Sequence, residues 1–218
     1  MRSVLIAEML LLVAITDNGR MPWGKGAFVT VGLSGALLAE LAIGGQLTVA
    51  ADGRVRAADA RPGDELLARV YDAVREQLEG RKARRVVSSL SRRIGGSQAQ
   101  VAGRLAMAGV LSRDRTARWR PTRYPVIDAA ARQAVLDEVR MAAAGTGPVR
   151  SQVAVVLALA GPCRLLEQVA PERRTRAAAR RRMAGATADV SFAPPVADSI
   201  DGLVSAVAAA ATAIAASG

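Results

Sequence analysis

The sequence predicts a mainly α fold, a single compact helical domain over residues 1–218 with small β-hairpins. Three observations carry that expectation. Hydrophobic residues make up 51% of the chain but aromatics only 3%, so the core must be built from Ala, Leu, Val and Ile, which suits packed helices better than a sheet sandwich. Apolar residues recur at helical spacing along most of the chain, and a length of 218 residues is enough to bury one substantial core. The stretch Gly32 to Leu47 is apolar on most sides, with only Ser34 and Glu40 polar before Gly44-Gly45, as a helix inside a helical core must be.

In chain order, Val4 to Ile15 reads as a buried helix. Glu8 interrupts its apolar run, no small-x-small cleavage site follows it, and it is too short to span a bilayer. Asp17 to Arg20 is a turn, and Met21 to Gly26 a loop holding Trp23 between Pro22 and Gly24. After the Gly32 helix, Gly44-Gly45 provides a left-handed stop, and Gln46 to Arg56 reads as a hairpin turning at Asp52-Gly53. Pro62 and Asp64 open an amphipathic helix with Leu66, Leu67, Val70, Val74 and Leu78 on one face, ended by Gly80. A helix around Val86, Val87, Leu90 and Ile94 breaks at Gly95-Gly96, and Ser97 caps the next, which runs to Gly109 and repeats the helix–glycine–apolar pattern with Leu111. Leu111 to Tyr124 is a basic, aromatic hairpin confined to an edge by Pro121 and Pro125. Asp128 caps a helix to about Ala144, Ser151 caps one to Ala160, Glu167 to Met183 is helical, and Asp198 to Ala216 is a packing helix rather than an anchor.

Charge and composition narrow the function. The net charge is +11, and residues 81–123 hold twelve basic side chains against one acid, Asp114. Preference for Arg, Ala, Gly and Pro follows from GC-rich, bacterial-looking coding, but that bias does not remove acids from one window. The window is expected to face a polyanion, either a phosphate-bearing lipid or nucleic acid. The chain has no histidine, which excludes most hydrolase triads, and the single Cys163 reads as a small core residue in a reducing, cytoplasmic setting. No Walker, dinucleotide or Gly-x-Ser-x-Gly motif is present, and the carboxylates are expected spread over surface helices, with no pair in an apolar setting that would shift a pKa. Arg173 to Arg182 is expected to be a solvated face. A binding protein without catalytic residues, metal or cofactor is the reading that remains.

The order of elements resembles the Golgi phosphoprotein 3 family. The resemblance rests on the apolar start through Leu11 to Gly19, the loop Trp23, Gly-Leu-x-Gly-Ala-Leu-Leu-Ala-Glu-Leu-Ala from Gly32, and the Gly-x-Leu strand. Arg104-Leu105 to Gly109-Val110-Leu111 and Arg123-Tyr124-Pro125-Val126-x-Asp128 extend it over most of the chain. It implies a helical domain peripheral to membranes on their cytoplasmic side, binding phosphatidylinositol 4-phosphate through a loop tryptophan and basic residues, with a β-hairpin supporting self-association. Trp23 falls on the tryptophan position, while Ser34, Gly95 and Gln98 stand where pocket cations are expected. From local charge, Lys25, Arg92 and Arg93 join Trp23 as the expected headgroup-binding residues. The hairpin Leu111 to Tyr124 is the expected self-association element. The alternative is a winged-helix-like nucleic-acid-binding protein using the 81–123 window, with Arg118, Arg120 and Arg123 on phosphates. A third reading is a scaffold for protein partners through the same hairpin.

Overall fold

The computed structural model describes residues 4–93, 97–112, 123–146, 149–187 and 194–216, with side chains left undescribed at 93, 97 and 194–197. It is mainly helical: α1 (Ile6–Ala14), α2 (Gly26–Ile43), the strands β1 (Leu47–Val49) and β2 (Val55–Ala57), α3 (Glu65–Ala73), α4 (Ala83–Arg93), α5 (Ser97–Met107), α6 (Ala129–Ala144), α7 (Ser151–Ala160), α8 (Leu166–Val169), α9 (Arg176–Gly185) and α10 (Pro194–Ala216). One contiguous core runs from Leu5 to Ala210.

Every residue of α1 is buried, so neither end can use water for its unpaired backbone groups. Carboxylates meet the N-terminus: Leu5 N–H donates to Glu8 Oε2 at 2.9 Å and Ile6 N–H to Glu40 Oε2 at 2.7 Å. A guanidinium meets the C-terminus. Arg132 of α6 donates to Leu12 O at 3.2 Å and Ile15 O at 2.6 Å, and pairs with Asp17 at 2.6 Å. Both signs match the helix dipole. Arg104 of α5 extends the cluster, 3.1 Å from Glu8 and 2.7 Å from Asp64, whose side chain also caps α3 by accepting from Leu66 and Leu67 N–H. Burial opposes the charge on Arg104, but hydrogen bonds to Glu8 and Asp64 outweigh it and raise its pKa. Burial likewise opposes the charge on Asp64, yet the Leu67 N–H, Arg104 and Leu66 N–H bring its pKa below the usual carboxylate range. With Glu40, whose pKa burial raises beside Glu8 and Asp64, these carboxylates correct the expectation that no pair sits in an apolar setting that shifts a pKa.

The helix α2 is buried over most of its length and packs against α1, α4, α7 and α10. It and residues 198–216 of α10 are long and apolar enough to cross a membrane, but α2 lies inside the protein and α10 turns Ile200, Leu203 and Val207 into the core. Gly32 and Gly35 allow the close packing: a Cβ at Gly32 would sit 2.1 Å from Cys163 Sγ, and one at Gly35 2.3 Å from Val207 Cγ2. The helix ends in a Schellman motif, with Gly45 at φ +73°, Gln46 N–H donating to Leu41 O and Gly45 N–H to Ala42 O. The same pair of bonds ends α5 at Gly109, so the repeated glycine stop is a shared local solution.

The first hairpin forms as expected, pairing Leu47 with Ala57 and Val49 with Val55. The Glu65 helix differs in its last turn, Val74–Leu78, which is π-helical and keeps Val74 and Leu78 both buried. The Glu167 to Met183 helix breaks into α8, a 3₁₀ turn at Arg173–Thr175, and α9, because Pro171 lacks the N–H that a continuous helix needs. Arg150, not Ser151, occupies the N-cap of α7. Most of the Leu111 to Tyr124 hairpin, including Trp119 and Arg113 to Arg120, lies outside the described residues, as does the Gly95-Gly96 break. Its ends are buried and tied down: Leu111 bridges Val126, and Tyr124 N–H donates to Gly19 O at 2.7 Å.

Two stability predictions follow from this packing. In Gly35→Ala, overpacking against Val207 at the upper end of ~1–3 kcal/mol outweighs the helix-propensity gain of about 1 kcal/mol. Urea denaturation should show a net loss, partly recovered by Val207→Ala in the same chain; equal losses with and without that partner would contradict the packing. Glu40 is the pH-sensitive case. Burial holds its pKa above the ordinary range against the Ile6 N–H and Gln152 hydrogen bonds, and Glu8 and Asp64 repel its charge. The unfolded chain therefore gives up this proton first, so stability falls as pH rises from about 4.3 through the folded pKa. Glu40→Gln removes that loss, and its stability relative to the parent should increase between pH 4 and pH 7; a gap that shrinks with pH would refute the assignment.

Candidate functional site

Trp23 stands at the tip of a four-residue turn. Lys25 N–H donates to Pro22 O at 3.1 Å, and Gly24 takes the positive φ (+73°) that a type II turn requires at its third residue. Pro and Gly on either side keep the tryptophan out of any regular element, and its side chain is 100% exposed. A fully exposed indole in a chain so poor in aromatics is an apolar surface with one N–H donor that no described residue covers.

Lys25, the N-cap of α2, turns away from solvent, with Nζ 3.4 Å from Gln168 Oε1 and 3.8 Å from Glu167 Oε2. It reaches the rim of a groove of about 670 Å³ between the end of α7, α8 and α9. Arg164, Arg176 and Arg180 line the same groove, with Glu167 as its acid. Arg164 is held in an unusual way. It is the non-glycine residue at positive φ (59°) among those described, its N–H donates to Gly161 O at 2.9 Å, and its guanidinium lies 4.1 Å from the centre of the Phe28 ring. Arg176 lies 3.8 Å from Glu167 and donates to the carbonyls of Ala170 and Pro171, which the break before α9 leaves free of helical bonds. Lys25 and Arg176 thus share one carboxylate, each beyond hydrogen-bond distance. A dianionic group would pair with both more closely.

Sequence reasoning finds Trp23 and Lys25 and places them together, since they belong to one turn. Arg92 is exposed on α4, outside the lining of this groove, and the side chain of Arg93 lies outside the described residues. Arg164, Arg176 and Arg180 were not expected. Arg176 and Arg180 carried a signal in their i, i+4 spacing, but a solvated face has the same spacing. Arg164 carried none, because its exposure and backbone follow from the tight turn after α7. Where the resemblance leads one to expect pocket cations, the described residues are neutral and bonded: Ser34 Oγ donates to Thr30 O at 3.2 Å, and Gln98 Nε2 to Gly26 O at 2.9 Å and Thr30 Oγ1 at 2.8 Å. Gly95 lies outside the described residues.

Beneath the groove, Cys163 is fully buried and its thiol sits 3.5 Å from Phe28 O. Burial pushes its pKa up to about 12. The thiolate is the reactive form, so at pH 8 Cys163 should label with a small disulfide reagent only as fast as the protein unfolds, and in full on adding denaturant. Rapid labelling of the folded chain would show that the α2–α7 contact opens.

The family profile described as Golgi phosphoprotein 3 (GPP34) matches residues 5–203. No curated protein matches the chain. With nearly its whole length matched, the chain belongs to the Golgi phosphoprotein 3 family.

Proposed function

We propose that this family member is a non-catalytic peripheral membrane protein that recognises an anionic, phosphorylated lipid headgroup of the phosphatidylinositol 4-phosphate kind. The observation that carries the reading is Trp23, wholly exposed on a turn whose next cation, Lys25, opens onto a cationic groove. An indole favours the bilayer interface, where its ring enters the acyl boundary and its N–H meets headgroup oxygens. Lys25, Arg176 and Arg180 would take the phosphate, with Arg164 held against Phe28 as a planar fork beside it. Glu167 makes the groove selective for ligands that carry more than one negative charge, since a monoanion gains less by displacing it.

Each cation near an anionic surface contributes about 1 kcal/mol, so binding rests on several weak pairs plus the indole and falls as salt rises. The protein would act on the cytoplasmic side as an adaptor, the membrane holding one face while others stay free for partners. Self-association through the Leu111 to Tyr124 hairpin fits that role, its two ends being anchored in the core.

Co-sedimentation tests the reading with three kinds of vesicle: phosphatidylinositol 4-phosphate in neutral lipid, another anionic lipid at matched charge, and neutral lipid alone. The first should bind best, with Trp23→Ala and Arg176→Glu/Arg180→Glu each weakening it roughly tenfold, equivalent to ~1.4 kcal/mol. Equal binding to all anionic surfaces, displaced by duplex DNA and indifferent to Trp23, would refute it and favour a nucleic-acid-binding protein.

A further inference from the structure

A second cationic concavity exists that the Trp23 groove does not use. It is a cleft of about 530 Å³ lined by Arg54, Arg81, Lys82, Arg84 and Arg85. Three segments build it: the β1–β2 turn, the chain entering α4, and the first turn of α4. Their backbones are locked together, with Val55 N–H donating to Arg81 O at 2.9 Å, Gly80 N–H to Val55 O at 2.9 Å and Ala83 N–H to Gly53 O at 2.8 Å. Two of the cations are fixed in place as well. Arg54 Nη1 donates to Gly80 O at 2.5 Å, and Lys82 Nζ donates to Asp52 O.

The charge of this cleft is largely unanswered. Asp52 pairs with Arg54 at 3.1 Å, but among the described residues no ion pair reaches Arg81, Arg84 or Arg85. Other surface arginines are answered by carboxylates: Arg61 meets Asp72 at 2.7 Å, Arg75 meets Asp59 at 2.7 Å, and Arg150 meets Glu138 at 2.5 Å. Like charges gathered on a fixed scaffold repel one another, and an anion seated among them removes that repulsion while forming charge-assisted hydrogen bonds.

We propose that this cleft is a binding site for a compact group carrying several phosphates. The lining decides the class. Four guanidiniums offer planar forks that match phosphate oxygens in pairs, and among the described residues the lining contains no aromatic ring on which a nucleobase could stack. Its volume suits a small ligand with more than one phosphate. The site is separate from the Trp23 groove. The β1–β2 turn follows the C-terminal end of α2 and the Trp23 turn precedes its N-terminal end, and 18 residues make that helix about 27 Å long. The proposal does not rest on the lipid reading. Its ligand has two sources, a soluble oligophosphate or a polyphosphorylated lipid headgroup.

Isothermal titration of the full chain with inorganic tripolyphosphate and orthophosphate tests it. Tripolyphosphate should bind more tightly than orthophosphate, and Arg84→Glu/Arg85→Glu should weaken its tightest site at least about tenfold. Trp23→Ala should leave that affinity unchanged. So should Arg173→Glu/Arg174→Glu, which makes the same charge change elsewhere on the exposed surface. Thermal melts confirm that each variant folds, with Arg81→Gln/Arg84→Gln as the milder version. Loss of affinity in the Arg173/Arg174 variant equal to that in the cleft variant, or unchanged affinity in the cleft variant, would overturn the proposal. Vesicles of phosphatidylcholine with phosphatidylinositol bisphosphate assign the source. Weaker vesicle binding by the Arg84/Arg85 variant identifies a headgroup; unchanged vesicle binding with lost tripolyphosphate binding identifies a free anion.

Discussion

A helix taken wholly out of water must find partners for the backbone groups at both of its ends, and α1 is such a helix. Its N-terminus is met by Glu8 and by Glu40 of α2, its C-terminus by Arg132 of α6. Each of those groups is charged and would be costly to bury alone, so each recruits another. Glu8 takes Arg104 of α5, Arg104 takes Asp64 at the start of α3, and Glu40 takes Gln152 of α7. The demands of one helix therefore fix where five others begin or cross. A cluster of this kind is weak evidence of net stabilisation, but removing a charged member such as Arg104 leaves the carboxylates around it less well answered in the interior.

That arrangement also explains which parts of the fold were legible in the sequence. The apolar run of α2, its glycine stop, the hairpin after it and the Asp64 and Asp128 caps are local patterns, and local patterns survive into the structure because tertiary packing reinforces them. Glu8 could be read as polar within an apolar run, but its partner Arg104 lies 96 residues away, and periodicity carries no information about such pairs. The helix expected across residues 167–183 breaks for a local reason, Pro171, which has no N–H to give. Trp23 was legible because Pro22 and Gly24 leave it no regular element to join. The rest of its groove was not, since Arg164 reaches the rim only through a left-handed turn that no residue type at that position announces.

The distribution of charge separates structural from available cations more sharply than the net value of +11 does. Arg104 and Arg132 are bound into the interior, and Arg61, Arg75 and Arg150 are answered by nearby carboxylates. Two further groups of cations line concavities, the groove beside Trp23 and the cleft at the start of α4. The basic window of residues 81–123 is thus not one surface. Arg104 belongs to the core, and Arg81 to Arg85 to the cleft. Arg123 donates to Asn18 O at 3.0 Å and helps hold the returning chain.

The two places also differ in what surrounds the charge, and that difference governs what each can bind. Beside the groove stands an exposed apolar ring, and within it one carboxylate already bridges two cations at 3.8 Å. A ligand there gains from presenting a multiply charged group and an apolar boundary together, a combination that a lipid headgroup at a bilayer surface offers and a free phosphate does not. The cleft has no aromatic side chain among its described lining residues, and Asp52 beside it is paired to Arg54. Its ligand has only charge to present, so its selectivity must come from the number and spacing of phosphates. On the readings proposed for them, the two places would respond to different signals, and neither would need the other to be filled.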